Sequence, residues 1–245
     1  MPNFSVKIFL PSAGLGERLR PITYHIPKPL LPILGQLLIE ITLQKFSATS
    51  SGKIGINLHY KADMMREWVT NSEFKGRIKL FPEDPILGTG GALKNAEAFL
   101  SDGHFLVHNA DILSDVDFER LIETHLSSGN IATLATHDYP KYNNVVIDDN
   151  RCVIDVENPG TSTPNTGRIA KKAAYTGIAV YSPEILKFLP SGISHATVAW
   201  LAASKAGHKV QALDFTGSYW SDIGTPATYA SAIIDAFRKD GETVY

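Results

Sequence analysis

Between Pro11 and Leu30 the chain gathers the residue types that hold phosphate. An apolar run from Val6 to Leu10, expected to be the first strand of a buried sheet, empties into Pro11-Ser12-Ala13-Gly14-Leu15-Gly16-Glu17-Arg18. A strand followed by a glycine-rich turn presents successive backbone N–H groups to an anion. Gly14 and Gly16 permit a close main-chain approach and, where the turn needs it, a positive φ. Arg18 adds a permanent charge whose fork matches phosphate oxygens. Lys28, set between Pro27 and Pro29, is a second cation on a stiffened backbone. Neither common phosphate loop fits. A dinucleotide fingerprint needs a third glycine where this chain has Leu19, and the Gly-Lys-Ser/Thr of a Walker A loop is absent.

The elements that must position this loop alternate. Leu37 to Phe46 has apolar residues at helical spacing, Lys53 to Leu58 reads as a strand, Ala62 to Thr70 as a helix and Gly76 to Phe81 as a strand. A helix from about Ala92 to Leu100 and a strand from His104 to His108 continue the pattern, with a helix from Val116 to Leu126 and a strand from Ile131 to Thr136. Beyond them come a hairpin around Asp149-Asn150, a strand from Tyr175, a helix opening at Pro183, a helix over 196–206, a strand over 209–213 and a last helix from Ala227. Such alternation predicts an α/β protein of three Rossmann-like layers, α/β/α, around a mainly parallel mixed sheet, with ligands beyond the carboxyl ends of the strands. The 245 residues are 44% hydrophobic and 20% charged, which fits a soluble single domain with a substantial core. With 23 basic and 25 acidic residues there is no field to attract nucleic acid. The single Cys152 excludes an internal disulfide and a cysteine-rich zinc site. No apolar run reaches membrane-spanning length and the first residues lack a signal-peptide pattern, so the expectation is a cytoplasmic protein without a membrane partner.

Three further stretches could carry chemistry. Gly88-Thr89-Gly90-Gly91 opens a helix, either as a flexible, capped entry or as a wall that admits a flat ring. Asp111, just past the strand ending at His108, sits where a divalent cation would meet bound phosphate, unless it is a turn or cap residue. Asp115 and Asp117 read as first-turn charges of the following helix and are left out of any metal site. Gly177, inside a strand, marks a bulge or the close approach of a ligand.

The pattern G-x-G-x-R-L-x-P-x-T-x-x-x-P-K-P-L-L-P from Gly14 to Pro32, with Trp220-Ser221-Asp222-Ile223-Gly224-Thr225-Pro226 near the other end, resembles the two signatures of the sugar-1-phosphate nucleotidyltransferases. The likeness runs from Val6 to the final helix, specific at both ends and loose between. It implies the nucleotide-diphospho-sugar transferase fold over 1–245, with a nucleotide-binding half (1–115) and a sugar-phosphate-binding half (116–245). The implied substrates are a nucleoside triphosphate and a sugar 1-phosphate, and the implied cofactor is Mg²⁺ held by Asp111 and Asp222. Arg18 and Lys28 are the implied catalytic cations. Ala13, Gly14, Gly16, Gly88, Thr89 and Gly90 are implied at the nucleotide, and Ala110, Glu157, Asn158, Lys172 and Gly177 at the sugar phosphate. Glu83 is a candidate reader of guanine, whose N1–H and N2–H₂ donors suit a carboxylate. Two positions depart from the family pattern. Ala110 replaces a glycine, and Asn158 replaces the lysine of Glu-Lys-Pro; Lys171 and Lys172 are the nearby cations that could substitute. The short length, the Gly-Glu-Arg-Leu loop and the Leu-Gly-Thr-Gly-Gly-Ala segment look most like the manno-configured branch, which includes guanylyltransferases of mannose and heptose 1-phosphate. Uridylyltransferases of N-acetylmuramate or another hexose 1-phosphate are the rival, and cytidylyltransferases acting on phosphocholine share the fold. A nucleotide-sugar-binding subunit without catalysis is the alternative of a different class. No hexapeptide repeat follows the final helix, so a fused acetyltransferase domain is not expected. Homo-oligomerisation is left open.

Overall fold

Continuous apolar runs build the centre of the protein, and two-residue alternation within them feeds two cores. The computed structural model describes residues 4–157 and 171–242, the last four without their side chains. In chain order the elements are Lys7–Leu10 (β1), the hairpin Pro32–Ile33 (β2) and Gln36–Leu37 (β3), Leu38–Thr49 (α1), Ile54–Leu58 (β4), Ala62–Asn71 (α2) and Ile78–Pro82 (β5). Gly88–Asn95 (α3), Glu97–Leu100 (α4), Phe105–His108 (β6), Ile112–Ser114 (β7), Phe118–Ser128 (α5) and Ala132–His137 (β8) follow. The chain then forms Asn143–Ile147 (β9), Val153–Val156 (β10), Lys171–Tyr181 (β11), Ala196–Lys205 (α6), Val210–Asp214 (β12), Trp220–Asp222 (β13) and Pro226–Glu242 (α7).

The central sheet runs β10-β9-β11-β6-β1-β4-β5, with β8 and β12 branching from β11. Parallel pairing joins β6, β1, β4 and β5, and the long β11 pairs antiparallel with β6, β8 and β9. This is the mixed, mainly parallel α/β/α sheet that the alternation of elements predicts. Side chains alternate across it as a strand requires. Phe9, Phe105 and Val107 enter the core shared with α3, α4 and α6, whereas Ile8, Leu10 and Leu106 enter the core shared with α1 and α5. α5 starts two residues later than expected, so Asp117 is its N-cap, accepting from the Arg120 N–H at 3.0 Å. Asp115 stands before the helix, where it accepts from the Tyr219 N–H at 2.6 Å, so neither is a first-turn charge.

Among the boundaries that differ from expectation, two bear on expected site residues. The glycines over 88–91 lie inside α3, because packing against residues 192–195 overrides their poor helix propensity. Lys171 and Lys172 begin β11, paired with Ile147 and Val146, so these two lysines belong to the sheet and not to the preceding loop. The histidines His104 and His125 meet with their ring nitrogens 3.0 Å apart, and His125 also reaches Thr133 Oγ1 at 3.0 Å. Burial pushes His125 down to about 3 and lowers His104 too, so neutral imidazoles tie α5 to the residue before β6 and, through Thr133, to β8.

Candidate active site

The phosphate loop is anchored by what replaces the third glycine. Gly16 takes a left-handed φ of 64°, and a Cβ there would lie 2.8 Å from Thr23 Cγ2, so this position needs glycine for both conformation and space. The Thr23 hydroxyl donates to the Gly16 carbonyl at 2.8 Å and closes the turn. Leu19 is fully buried in a small cluster with Leu31, Ile33, Leu38, Ile223 and Ala232. That cluster ties the loop to Ile223, the residue after Asp222. Gly14 has open space where a Cβ would stand and faces a cavity.

Two adjoining cavities lie beyond the strand ends. The smaller, about 210 Å³, is lined by Ala13, Gly14, Lys28, Gly88, Thr89 and Ala110 among others. The larger, about 640 Å³, includes Arg18, Lys141, Glu157, Gly177, Trp220 and Asp222 in its wall. Asn109 and Asp111 line both, so the two spaces join at the end of β6. Such a position past the carboxyl ends of parallel strands is where open α/β sheets hold ligands.

The two aspartates converge through short elements. β7 and β13 pair antiparallel, placing Asp222 opposite Ile112, and the Ile223 N–H donates to the Asp111 carbonyl at 2.9 Å. Lys28 Nζ lies 2.5 Å from Asp111 Oδ2 and 3.9 Å from Asp222 Oδ1, and Arg18 Nη2 lies 3.9 Å from Asp222 Oδ2. Burial, and next the charge of Asp111, raise the Asp222 carboxyl above its ordinary range, while Lys28, Arg18 and Lys141 pull it back. An ammonium bridging two carboxylates marks a place built for positive charge. Among the described residues no cluster of three His, Cys, Asp or Glu side chains could hold a metal. The two carboxylates suit a hard cation that would complete its shell with phosphate oxygens and water.

Several expected residues sit elsewhere or do something else. Glu83 is buried, outside both cavity walls. Its Oε1 accepts from Asn57 Nδ2 at 2.7 Å and its Oε2 from the Leu87 N–H at 3.0 Å. Both Glu83 oxygens are thus engaged within the protein, and Asn57 in turn accepts at its Oδ1 from the Ser12 N–H at 2.6 Å, at the start of the glycine loop. Gly90 also lies off the cavity. Its N–H donates to Ser194 O at 2.9 Å, and a Cβ there would stand 2.8 Å from the His195 carbonyl, so its closeness serves a backbone and not a base. Thr89 lines the smaller cavity and accepts from the Ala196 N–H at 3.0 Å. Gly177 carries a φ of 82° within a register shift of β11, and a Cβ there would approach Asn109 Nδ2 to 2.9 Å. It is a bulge that also lines the larger cavity. Lys172 is not on the cavity wall; its Nζ pairs with Glu157 Oε2 at 2.7 Å. Asn158 lies outside the described residues.

Asn57 and Lys141 escaped the sequence reading. An asparagine inside the apolar run Ile54–Leu58 was the available signal for the first. Nothing local marks the second.

An α/β sheet thus ends in a glycine turn, with cations facing paired carboxylates across a divided cleft. The chain belongs to the Nucleotidyl transferase family, which matches it over residues 8–239. It is 31% identical to mannose-1-phosphate guanyltransferase of Aspergillus fumigatus over 91% of this chain and 62% of that protein. It is 28% identical to UTP--glucose-1-phosphate uridylyltransferase of Synechocystis over 98% of this chain and 65% of the relative. The chain thus spans under two thirds of the length of these curated relatives. HddC from Yersinia pseudotuberculosis, in its complex with GMP-PN, superposes with a TM-score of 0.72 at 26% identity, covering 94% of this chain and 99% of that one.

Proposed function

We propose that the chain transfers a nucleotidyl group from a nucleoside triphosphate to a sugar 1-phosphate, releasing pyrophosphate. The observation that carries this reading is Lys28 lying between Asp111 and Asp222 at the junction of two cavities, one beside the glycine loop and one beside Gly177 and Trp220. The smaller cavity takes the nucleotide and the larger the sugar phosphate. A phosphate oxygen of the sugar 1-phosphate forms a bond to the α-phosphorus, and the bond from that phosphorus to the bridging oxygen breaks, with pyrophosphate keeping the electron pair. No general base is needed, since a phosphate monoester is largely dianionic near neutral pH.

The protein's contribution is positioning and charge. Backbone N–H groups from residue 13 onward and the exposed Arg18 guanidinium hold the leaving pyrophosphate. Lys28 bridges the α-phosphate and the incoming phosphate. Magnesium, bound through Asp111 and Asp222, would neutralise the α-phosphate and orient the attacking oxygen. A cytoplasmic setting fits a reaction that draws on nucleoside triphosphates; among the described residues no helix is long and apolar enough to cross a membrane.

GTP with a manno-configured sugar, mannose or heptose, is the favoured pair. The names of the guanyltransferase relatives and the GMP-PN bound by HddC support it. The uridylyl reading keeps support from the Synechocystis relative and from the engagement of Glu83 with Asn57 and Leu87, which removes the carboxylate argument for guanine. A pyrophosphate-release assay with Mg²⁺, crossing four nucleoside triphosphates with mannose, heptose, glucose, N-acetylglucosamine and N-acetylmuramate 1-phosphates, decides. Release is expected with GTP and a manno-configured acceptor. Release with UTP alone overturns the choice of base, and silence across the panel from protein shown to bind nucleotide overturns catalysis in favour of a binding subunit.

A further inference from the structure

We propose that Lys141 is the cation that receives the phosphate of the acceptor, a role that rests on the nucleotidyl-transfer reading of this cleft. Three cations stand in the walls of the two cavities: Arg18, Lys28 and Lys141. Lys28 is engaged with Asp111, and Arg18 lies 3.9 Å from Asp222. Among the described residues Lys141 has no carboxylate within 4.0 Å, although its charge acts on Asp222 across the cavity. Its ammonium is therefore the one whose approach to an anion costs no existing ion pair. Lys172, the substitute that chain position favoured, is already paired with Glu157 and stands off the wall.

The turn that carries Lys141 is held in place by the cavity itself. The Tyr142 N–H donates to Tyr139 O at 2.8 Å, and Tyr139 N–H donates to Asn143 Oδ1 at 2.9 Å. The rings of Tyr139 and Tyr142 each meet Trp220 edge-on with centroids 5.7 Å apart, and Trp220 Nε1 donates to the Thr176 carbonyl at 2.7 Å. Lys141 Nζ lies 5.2 Å from the Tyr142 ring centre. An aromatic clamp thus joins the lysine turn to β13 two residues before Asp222. A phosphomonoester held by this ammonium would share the larger cavity with Arg18, whose guanidinium lines the same wall. The sugar body would then fall toward Gly177 and Trp220.

The test is steady-state kinetics of Lys141→Met and Lys141→Arg with the sugar 1-phosphate that the wild type turns over. Loss of a charge-assisted contact predicts that Lys141→Met raises KM for the sugar 1-phosphate at least about tenfold. KM for the nucleotide and the melting temperature should stay at wild-type values, and Lys141→Arg should restore most of the loss. A KM for the acceptor within twofold of wild type, or an equal rise in both KM values, overturns the assignment. Lys172→Met producing the acceptor-specific defect while Lys141→Met does not would move the role to Lys172 and overturn it equally. If the wild type turned over no sugar phosphate, the functional reading itself would have failed. Calorimetric titration of mannose 1-phosphate into wild type and Lys141→Met still decides the phosphate role: weaker binding by the variant supports it, and equal binding refutes it.

Discussion

Asp111→Asn is expected to lower pyrophosphate release by about a thousandfold or more while leaving the protein folded. Electrostatic groups aimed at developing charge are each worth roughly two to three orders of magnitude in rate, and in the proposed reaction Asp111, the observed partner of Lys28, would also be a carboxylate for the cation. The asparagine keeps the shape and can still accept a hydrogen bond from Lys28, but it surrenders the charge that a hard cation requires. The backbone link from Ile223 N–H to the residue 111 carbonyl does not depend on the side chain, so β7 and β13 stay paired. Removing this charge also relieves Asp222, whose carboxyl Asp111 pushes upward. The melting temperature should therefore equal or exceed that of the wild type. Single-turnover pyrophosphate release beside a thermal melt checks both halves, and a rate loss under tenfold would remove Asp111 from the catalytic set.

Trp200→Ala is the substitution expected to cost most in stability, about 3–5 kcal/mol, the range for emptying a buried aromatic site. Trp200 is 1% exposed and packs in the core on the α3, α4 and α6 side of the sheet. Its Nε1 donates to the Tyr181 hydroxyl at 3.0 Å, and its ring meets Tyr175 edge-on at 4.8 Å. Burial raises both tyrosines above their ordinary range, so they stay as neutral phenols, and the Trp200 N–H is part of what satisfies Tyr181. For a domain of this size each kcal/mol is worth roughly 2–4 °C, so the melt should fall by about 6–20 °C. Trp200 also borders the larger cavity, and Trp200→Phe should recover part of the stability by refilling the space. A melt within a few degrees of wild type for the alanine variant would contradict this account of the core.

How much of this was legible before the fold was seen varies with the range of the interaction. The phosphate loop could be read because its chemistry is local: a strand, two glycines, an arginine and a proline-flanked lysine follow one another in the chain. The convergence of Asp111 on Asp222 was given only by the family signature. The strands that bring them together, Ile112–Ser114 and Trp220–Asp222, are three residues each and too short to show periodicity. The engagement of Glu83 could not be read for a related reason. Position just past a strand places a carboxylate near the cleft, but only packing shows that Asn57 and Leu87 have already claimed it. The early start of α3 reflects a contact with residues 192–195 that local propensity cannot register. Lys141 depends on the same kind of distant information, a turn held by Trp220 from the far end of the chain.

The most direct test of nucleotidyl transfer follows the label. GTP carrying ³²P at the α position, or separately at the γ position, is incubated with the protein, Mg²⁺ and mannose 1-phosphate. The account predicts that the α label appears in a sugar nucleotide and the γ label in pyrophosphate, in equal amounts. Transfer of the γ label to the sugar phosphate, or bound GTP that yields neither product with any acceptor of the panel, would contradict it.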